Sequence, residues 1–188
     1  MHIAHNYYDE RFPKEVKYYG HDEERIESYE GSGEMRLREY GGNDIRGLQG
    51  AGAWVASSVE LLRLVASIDG KPTVPDILSA ESVAEMRNIV RKGDYPLGWA
   101  NYNASNVSLI RTGTMSGTCA YVDYRENGIS YVLLANTSSY RGASFTNSIG
   151  RMVRDAMTYV KEWPSDRDMF VAVPRPQVEA ADTPNDAS

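Results

Sequence analysis

The sequence predicts an α+β fold, and three observations carry that prediction. Two segments with helical apolar spacing come first. A set of consecutive strand-like runs follows. A long amphipathic segment closes the ordered part of the chain. Helices segregated from a run of adjacent strands are the order of an α+β domain with an antiparallel sheet and a packed C-terminal helix.

Residues 1–45 read as a loop-rich excursion. They are polar, rich in tyrosine and acidic in patches, with turn formers at Gly20, Gly31, Gly33, Gly41 and Gly42. Val16 to Tyr19 is the best strand candidate there, within one short hairpin. The acidic stretch from Asp22 to Glu30 reads as a solvated face. His2 and His5 stand three residues apart with no evident third ligand. They read as a flexible terminal pair, and no metal site is expected.

Residues 46–173 carry the regular structure. Ser57 with Glu60 is a capping box, each side chain satisfying the other's free backbone N–H. Leu61, Leu62, Val65 and Ile68 continue at helical spacing, and Gly70 closes the helix. Gly47, Gly50 and Gly52 mark a tight approach to it. Ser79 is the N-cap of a second helix, with Val83, Met86, Ile89 and Val90 on one face. "YPLGWANYN" and "VSLIRTG" read as strands joined at Ser105-Asn106. "CAYVDYRENGISYVLLAN" reads as a hairpin whose Asn127-Gly128 supplies the positive φ angles of a two-residue turn. The run "SYVLLAN" is apolar on both faces, the pattern of a central buried strand. The last helix places Phe145, Ile149, Met152, Val153, Ala156, Val160 and Trp163 on one side. Trp54, Trp99 and Trp163 read as core, and Cys119 as a small buried hydrophobe. Residues 174–188 have the composition of a disordered tail.

Composition removes several functions. The formal charge of −6 lacks the clustered basic face that nucleic acid requires, so no nucleic-acid partner is expected. No run approaches the ~20 apolar residues of a membrane helix, so no membrane span is expected. One cysteine leaves no intramolecular disulfide framework. The glycine-rich run lacks the Lys-Ser or Lys-Thr ending of a phosphate loop. No cofactor is implied.

The chemistry-bearing segment is "LIRTGTMSGTCAYV", in which an apolar strand carries Arg111, Thr112 and Gly113. A cation attracts a carboxylate and a hydroxyl can bond it. A glycine lets a ligand lie against the strand.

Four segments in order, "GAGAWVASSVELLRLV", "ILSAESVAEM", "PLGW" and "RTGTMSGTCAYV…YVLLANTSS", resemble the serine β-lactamase and penicillin-binding-protein superfamily, in its class C β-lactamase, DD-peptidase and esterase branch. The resemblance covers residues 45–163 of the 188. It implies the C-terminal part of a β-lactamase/transpeptidase-like fold, with two helices from the helical region and a three-to-five-stranded sheet. It places Arg111-Thr112-Gly113 on the family's Lys-Thr-Gly or His-Thr-Gly motif, which implies that Arg111 and Thr112 bind a substrate carboxylate and that the backbone N–H of the next residue, Thr114, is half of an oxyanion hole, and it places Asn136 on a Leu-Ala-Asn position near the same carboxylate. Arginine for lysine is a departure, because arginine binds carboxylates by two parallel bonds but shuttles no proton at neutral pH.

The family's nucleophile is the serine of Ser-x-x-Lys. No serine in this chain has lysine three residues later, and Ser108 to Arg111 is the nearest imitation. The family's Tyr-x-Asn or Ser-x-Asn motif is also absent. The resemblance therefore implies the C-terminal portion of a serine hydrolase acting by acyl transfer on a peptide-like amide, an ester or a β-lactam, inactive by itself. The alternative is a non-catalytic binding or regulatory relative. The expected partners are the N-terminal half of the same protein or a second copy joined through an exposed sheet edge, and a peptide-like or ester small molecule. A periplasmic or envelope location follows if the full-length protein resembles the family in that respect.

Overall fold

The computed structural model describes residues 1–88, 95–99, 101–103, 108–166 and 170. The strands are β1 (His2–Ile3), β2 (Arg25–Glu27), β3 (Met35–Leu37), β4 (Trp54–Val55), β5 (Asn101–Asn103), β6 (Ser108–Met115), β7 (Thr118–Arg125) and β8 (Tyr131–Ala135). The helices are α1 (Ser58–Ala66), α2 (Ala80–Arg87) and α3 (Ala143–Met157). The architecture is α+β. An antiparallel sheet in the order β5-β6-β7-β8 is joined by two small pairs, β1-β4 and β2-β3.

The caps form as the sequence dictates. Ser57 Oγ accepts from the Glu60 backbone N–H at 3.2 Å, and Glu60 Oε2 accepts from the Ser57 N–H at 2.8 Å. Ser79 Oγ accepts from the Ser82 N–H at 3.1 Å. Helix α1 ends at Ala66, before Ile68, and Gly70 takes its positive φ of 72° in the turn beyond.

The main sheet separates two environments. Strand side chains alternate between faces, so Leu109, Val122 and Tyr124 meet Val65 of α1 and Trp99. Leu61, Ile68 and Val132 pack around that cluster. On the other face α3 lies over β6 and β7. Thr146 and Gly150 are its buried residues. A Cβ on Gly150 would come within 2.6 Å of Tyr121 Cε2, and the Tyr131 hydroxyl donates to the Gly150 carbonyl at 2.9 Å. The helix is thus rotated from the expectation. Met152 is 67% exposed, and the sheet-facing residues are small. The Tyr121 ring fills the volume that larger side chains of α3 would have taken. The helix also stops at Met157, leaving Val160 and Trp163 exposed.

Other expectations are corrected. The β7–β8 connection runs over five residues, Glu126 to Ser130, and Gly128 has no positive φ. Ser130 closes the connection instead, its hydroxyl accepting from the Arg125 N–H at 2.9 Å. The two-residue turn is Ser116-Gly117 between β6 and β7, with Gly117 at φ 74° and Met115 paired to Thr118. Among the described residues strand β8 lies at the edge of its sheet and is not central. Among the described residues of "YPLGWANYN" only Asn101–Asn103 is strand, because Pro96 to Gly98 form a turn. Trp54 is 53% and Trp163 46% exposed, whereas Trp99 and Cys119 are buried. Ile89, Val90, the turn at Ser105-Asn106 and residues 174–188 lie outside the described residues.

Residues 1–45 are tied down at several points. Val16 to Tyr19 form no hairpin, and only Tyr19 bridges, in parallel, to Thr137. The hairpin there is β2-β3. Strand β1 pairs with β4, so the segment also reaches the approach to α1. His5 is no flexible terminal residue. Its Nε2 lies 2.7 Å from Glu15 Oε2, both side chains are buried, and the Tyr18 hydroxyl donates to Glu15 Oε1 at 2.7 Å. Burial, and then the hydrogen bond to Glu15, push the Tyr18 phenol well above its ordinary range.

Candidate functional site

Strand β6 positions the candidate residues, and the ladder decides which backbone groups are free. The Met115–Thr118 pair closes a two-residue turn, so it is a hydrogen-bonded pair, and the alternation follows from it. Leu109, Arg111, Gly113 and Met115 turn their backbone groups toward β7. Ser108, Ile110, Thr112 and Thr114 turn theirs the other way. There β5 pairs with Ser108 to Ile110 and goes no further. The N–H and C=O of Thr112 and Thr114 therefore face an edge that β5 leaves uncovered.

Arg111 is exposed on the α1 side of the sheet, beyond Leu109. Among the described residues it makes no ion pair or side-chain hydrogen bond. Gly113 stands two residues on, with the same facing. A Cβ built on it would meet only Ala120 Cβ, at 3.9 Å. Its φ is not positive either, so the fold itself does not require glycine there.

Thr112 and Thr114 project to the opposite face. The Thr114 hydroxyl is engaged under α3, 2.7 Å from Thr146 Oγ1. Arg111 and Thr112 thus stand on opposite sides of the sheet and converge only around its open edge. Among the described residues the arrangement offers an unpaired cation, a bare stretch of backbone and an outward N–H at Thr114 in sequence. A carboxylate and a carbonyl oxygen of one extended ligand could be bound there.

Asn136 does not join this group. It follows the end of β8, two strands and about 10 Å from β6. Its side-chain amide donates to the Lys17 carbonyl at 2.8 Å. The Asn136 carbonyl accepts from the Tyr19 N–H at 3.1 Å, and the Ser138 N–H donates to the Tyr19 carbonyl at 3.3 Å. Residues 17–19 form a strap across the end of β8. The strap also seats the β6–β7 turn. A Cβ on Gly117 would lie 2.9 Å from Tyr18 Cβ and 3.0 Å from Glu39 Cβ, and the Gly117 N–H donates to Ser138 Oγ at 2.9 Å. No sequence pattern announced the strap, because its two halves lie 119 residues apart.

Ser108, the nearest imitation of the family's serine, is buried, and its hydroxyl donates to Asp123 Oδ1 at 2.6 Å. No histidine or lysine contacts it among the described residues, so it is structural. Burial pushes the Cys119 thiol up from its ordinary range, which leaves it a poor nucleophile. A crevice lined by residues including Asp69, Arg87, Trp99 and Tyr124 has no room for a water molecule. No group of three His, Cys, Asp or Glu side chains among the described residues could hold a metal, and no described helix is long and apolar enough to cross a membrane. No family model, curated protein or solved structure matches the chain.

Proposed function

We propose that this chain is the C-terminal portion of a β-lactamase- or penicillin-binding-protein-like serine hydrolase, acting by acyl transfer on a peptide-like amide, an ester or a β-lactam. The observation that carries the reading is the edge of β6 at Thr112 and Thr114, which no described strand pairs, beside an Arg111 with no ion pair or side-chain hydrogen bond among the described residues and a glycine that the fold does not need. In this reading Arg111 binds the substrate carboxylate, Thr112 adds a hydroxyl at the edge and Gly113 lets the substrate lie close. The Thr114 N–H stabilises the developing oxyanion. The serine and its lysine come from residues outside these 188. Without them the wall binds but does not react.

A second reading is favoured by Arg111 alone: a non-catalytic relative that binds a carboxylate ligand. A guanidinium holds a carboxylate by two bonds and moves no proton.

The test is labelling of the product of the whole open reading frame with a fluorescent penicillin and an activated ester. A covalent adduct that Arg111→Ala weakens at least tenfold upholds the hydrolase reading. If no adduct forms, yet a small carboxylate ligand binds and Arg111→Ala releases it, the binding reading replaces it.

A further inference from the structure

We propose that Asn127-Gly128, in the connection between β7 and β8, is a modification site, at which the Gly128 backbone nitrogen attacks the Asn127 side-chain amide and converts it to aspartate and isoaspartate. This does not depend on the hydrolase reading. Asn127-Gly128 is the chain's one Asn-Gly pair. Glycine matters here because no side chain shields its nitrogen from the preceding amide.

The fold leaves both reacting groups free. Strand β7 ends at Arg125 and β8 begins at Tyr131, and Asn127, Gly128 and Ile129 between them are exposed. The connection is held only on either side of the pair. The Ser130 hydroxyl accepts from the Arg125 N–H, and Lys71 Nζ donates to the Glu126 carbonyl at 2.7 Å. Among the described residues neither the Asn127 side chain nor the Gly128 N–H makes a hydrogen bond. Nothing crowds the glycine: a Cβ built on it would meet Arg125 Cδ and Cβ at 3.6 and 3.7 Å, ordinary contact distances.

Two other sites show what protection looks like. At the chain's one Asp-Gly pair the Gly70 N–H donates to Asp76 Oδ1 at 3.2 Å, and Asp69 Oδ1 accepts from the Lys71 N–H at 2.9 Å. Nucleophile and electrophile are both engaged there. Asn147-Ser148 lies inside α3, whose helical geometry keeps the Ser148 nitrogen from folding back on the Asn147 side chain.

The reaction needs only water. Hydroxide takes the Gly128 N–H proton, and the nitrogen bonds to Asn127 Cγ. The Cγ–Nδ2 bond breaks and ammonia leaves with a proton from water, which returns the hydroxide. Water then opens the cyclic imide. Opening at Cγ leaves aspartate, and opening at the main-chain carbonyl leaves isoaspartate, with an added methylene in the backbone. The net change is one water consumed and one ammonia released. Either product places a new carboxylate beside Glu126, whose carbonyl holds Lys71. The added methylene falls outside the ladder, which ends at Asp123–Tyr131, so the modified chain stays folded.

Incubation of the folded protein at mildly alkaline pH, followed by peptide mapping with mass detection, tests the proposal. An isoaspartyl carboxyl methyltransferase with a labelled methyl donor reads the isoaspartate. Conversion at Asn127 should run at least about tenfold faster than at Asn147, because only Asn127 has an attacking nitrogen free to reach it. It should rise with pH and leave the circular dichroism unchanged. Gly128→Ala fits the open space and should slow conversion at least about tenfold by crowding the nitrogen. Asn127→Gln should remove methyl acceptance from that peptide. Conversion at Asn127 no faster than at Asn147 overturns the proposal. So does conversion that needs urea, or a Gly128→Ala protein that converts as fast as the wild type.

Discussion

The hydroxyls of Thr114 and Thr146 lie 2.7 Å apart, joining the middle of β6 to the buried face of α3. Thr146 is fully buried, so this bond has no substitute from water. It spends the Thr114 side chain on the fold and leaves its backbone N–H for the open edge. Thr146→Val keeps the shape and strands the Thr114 hydroxyl. The expected loss is about 1–2 kcal/mol in urea unfolding, the cost of an unsatisfied buried donor. Adding Thr114→Val should restore most of it, because both polar groups are then gone. A double-mutant cycle with no coupling would show that the two hydroxyls do not act together.

Gly150→Ala separates helix propensity from packing. Alanine favours a helix interior by about 1 kcal/mol over glycine. The added methyl would sit on the Tyr121 ring, which is itself pressed between α3 and β7. Overpacking of that kind costs about 1–3 kcal/mol, so the variant should be less stable than the wild type. A more stable Gly150→Ala protein would mean that α3 shifts freely on the sheet.

Gly113→Ala should do the opposite. The new methyl meets only Ala120 Cβ at ordinary contact distance. Removing a mid-strand glycine should add about 0.5–1 kcal/mol of stability. On the proposed function the same methyl stands where a ligand would lie against β6, so acylation or ligand binding by the whole open reading frame's product should fall while stability rises. That opposed pair of changes distinguishes a binding surface from an idle strand.

The acid limb of stability should report Glu60. In a protein made of these 188 residues alone, the hydrogen bond from the Met1 ammonium at 2.6 Å, and then that from the Ser57 N–H, hold its carboxyl down to about 2, below its ordinary 4.5. A depressed carboxyl binds fewer protons folded than unfolded. Its contribution is therefore complete above pH 4.5 and is lost as the pH falls toward 2. Thermal unfolding of the wild type should drop through that window more steeply than that of Glu60→Gln. Parallel curves would remove Glu60 from the account.

Much of the framework was legible because its signals are local. Ser57, Glu60 and Ser79 name their helix starts within four residues of sequence. The runs around Arg111 and Tyr131 are recognisable strands by composition alone. The placement of Arg111 and Thr112 on opposite faces also follows from strand alternation. What was hidden depends on distant partners. The Asn127-Gly128 turn lost to a five-residue connection closed by Ser130. The face of α3 was set by the ring of Tyr121, which no periodicity in residues 143–157 reveals. Residues 1–45 lacked any period, yet hydrogen bonds such as Tyr18 N–H to Tyr40 Oη at 2.7 Å and Asn6 Oδ1 to the Arg46 N–H at 2.9 Å order them. Asn136 matched a motif but works on Lys17, a contact visible only in three dimensions.

That contact gives the last prediction. Asn136→Ala removes the Lys17 anchor and leaves the backbone bonds between Tyr19 and residues 136–138 in place. The strap then opens more often without global unfolding. A lost hydrogen bond of this kind is worth about 1 kcal/mol, which is roughly a fivefold larger open population. Lys17 is exposed in sequence with Lys14, so trypsin reads the opening directly. Cleavage after Lys17 should accelerate about fivefold while the unfolding midpoint of the main sheet barely moves. Equal cleavage rates would assign the strap's hold to the packing of Gly117 on Tyr18 and Glu39, and Gly117→Ala would then be the variant that frees it.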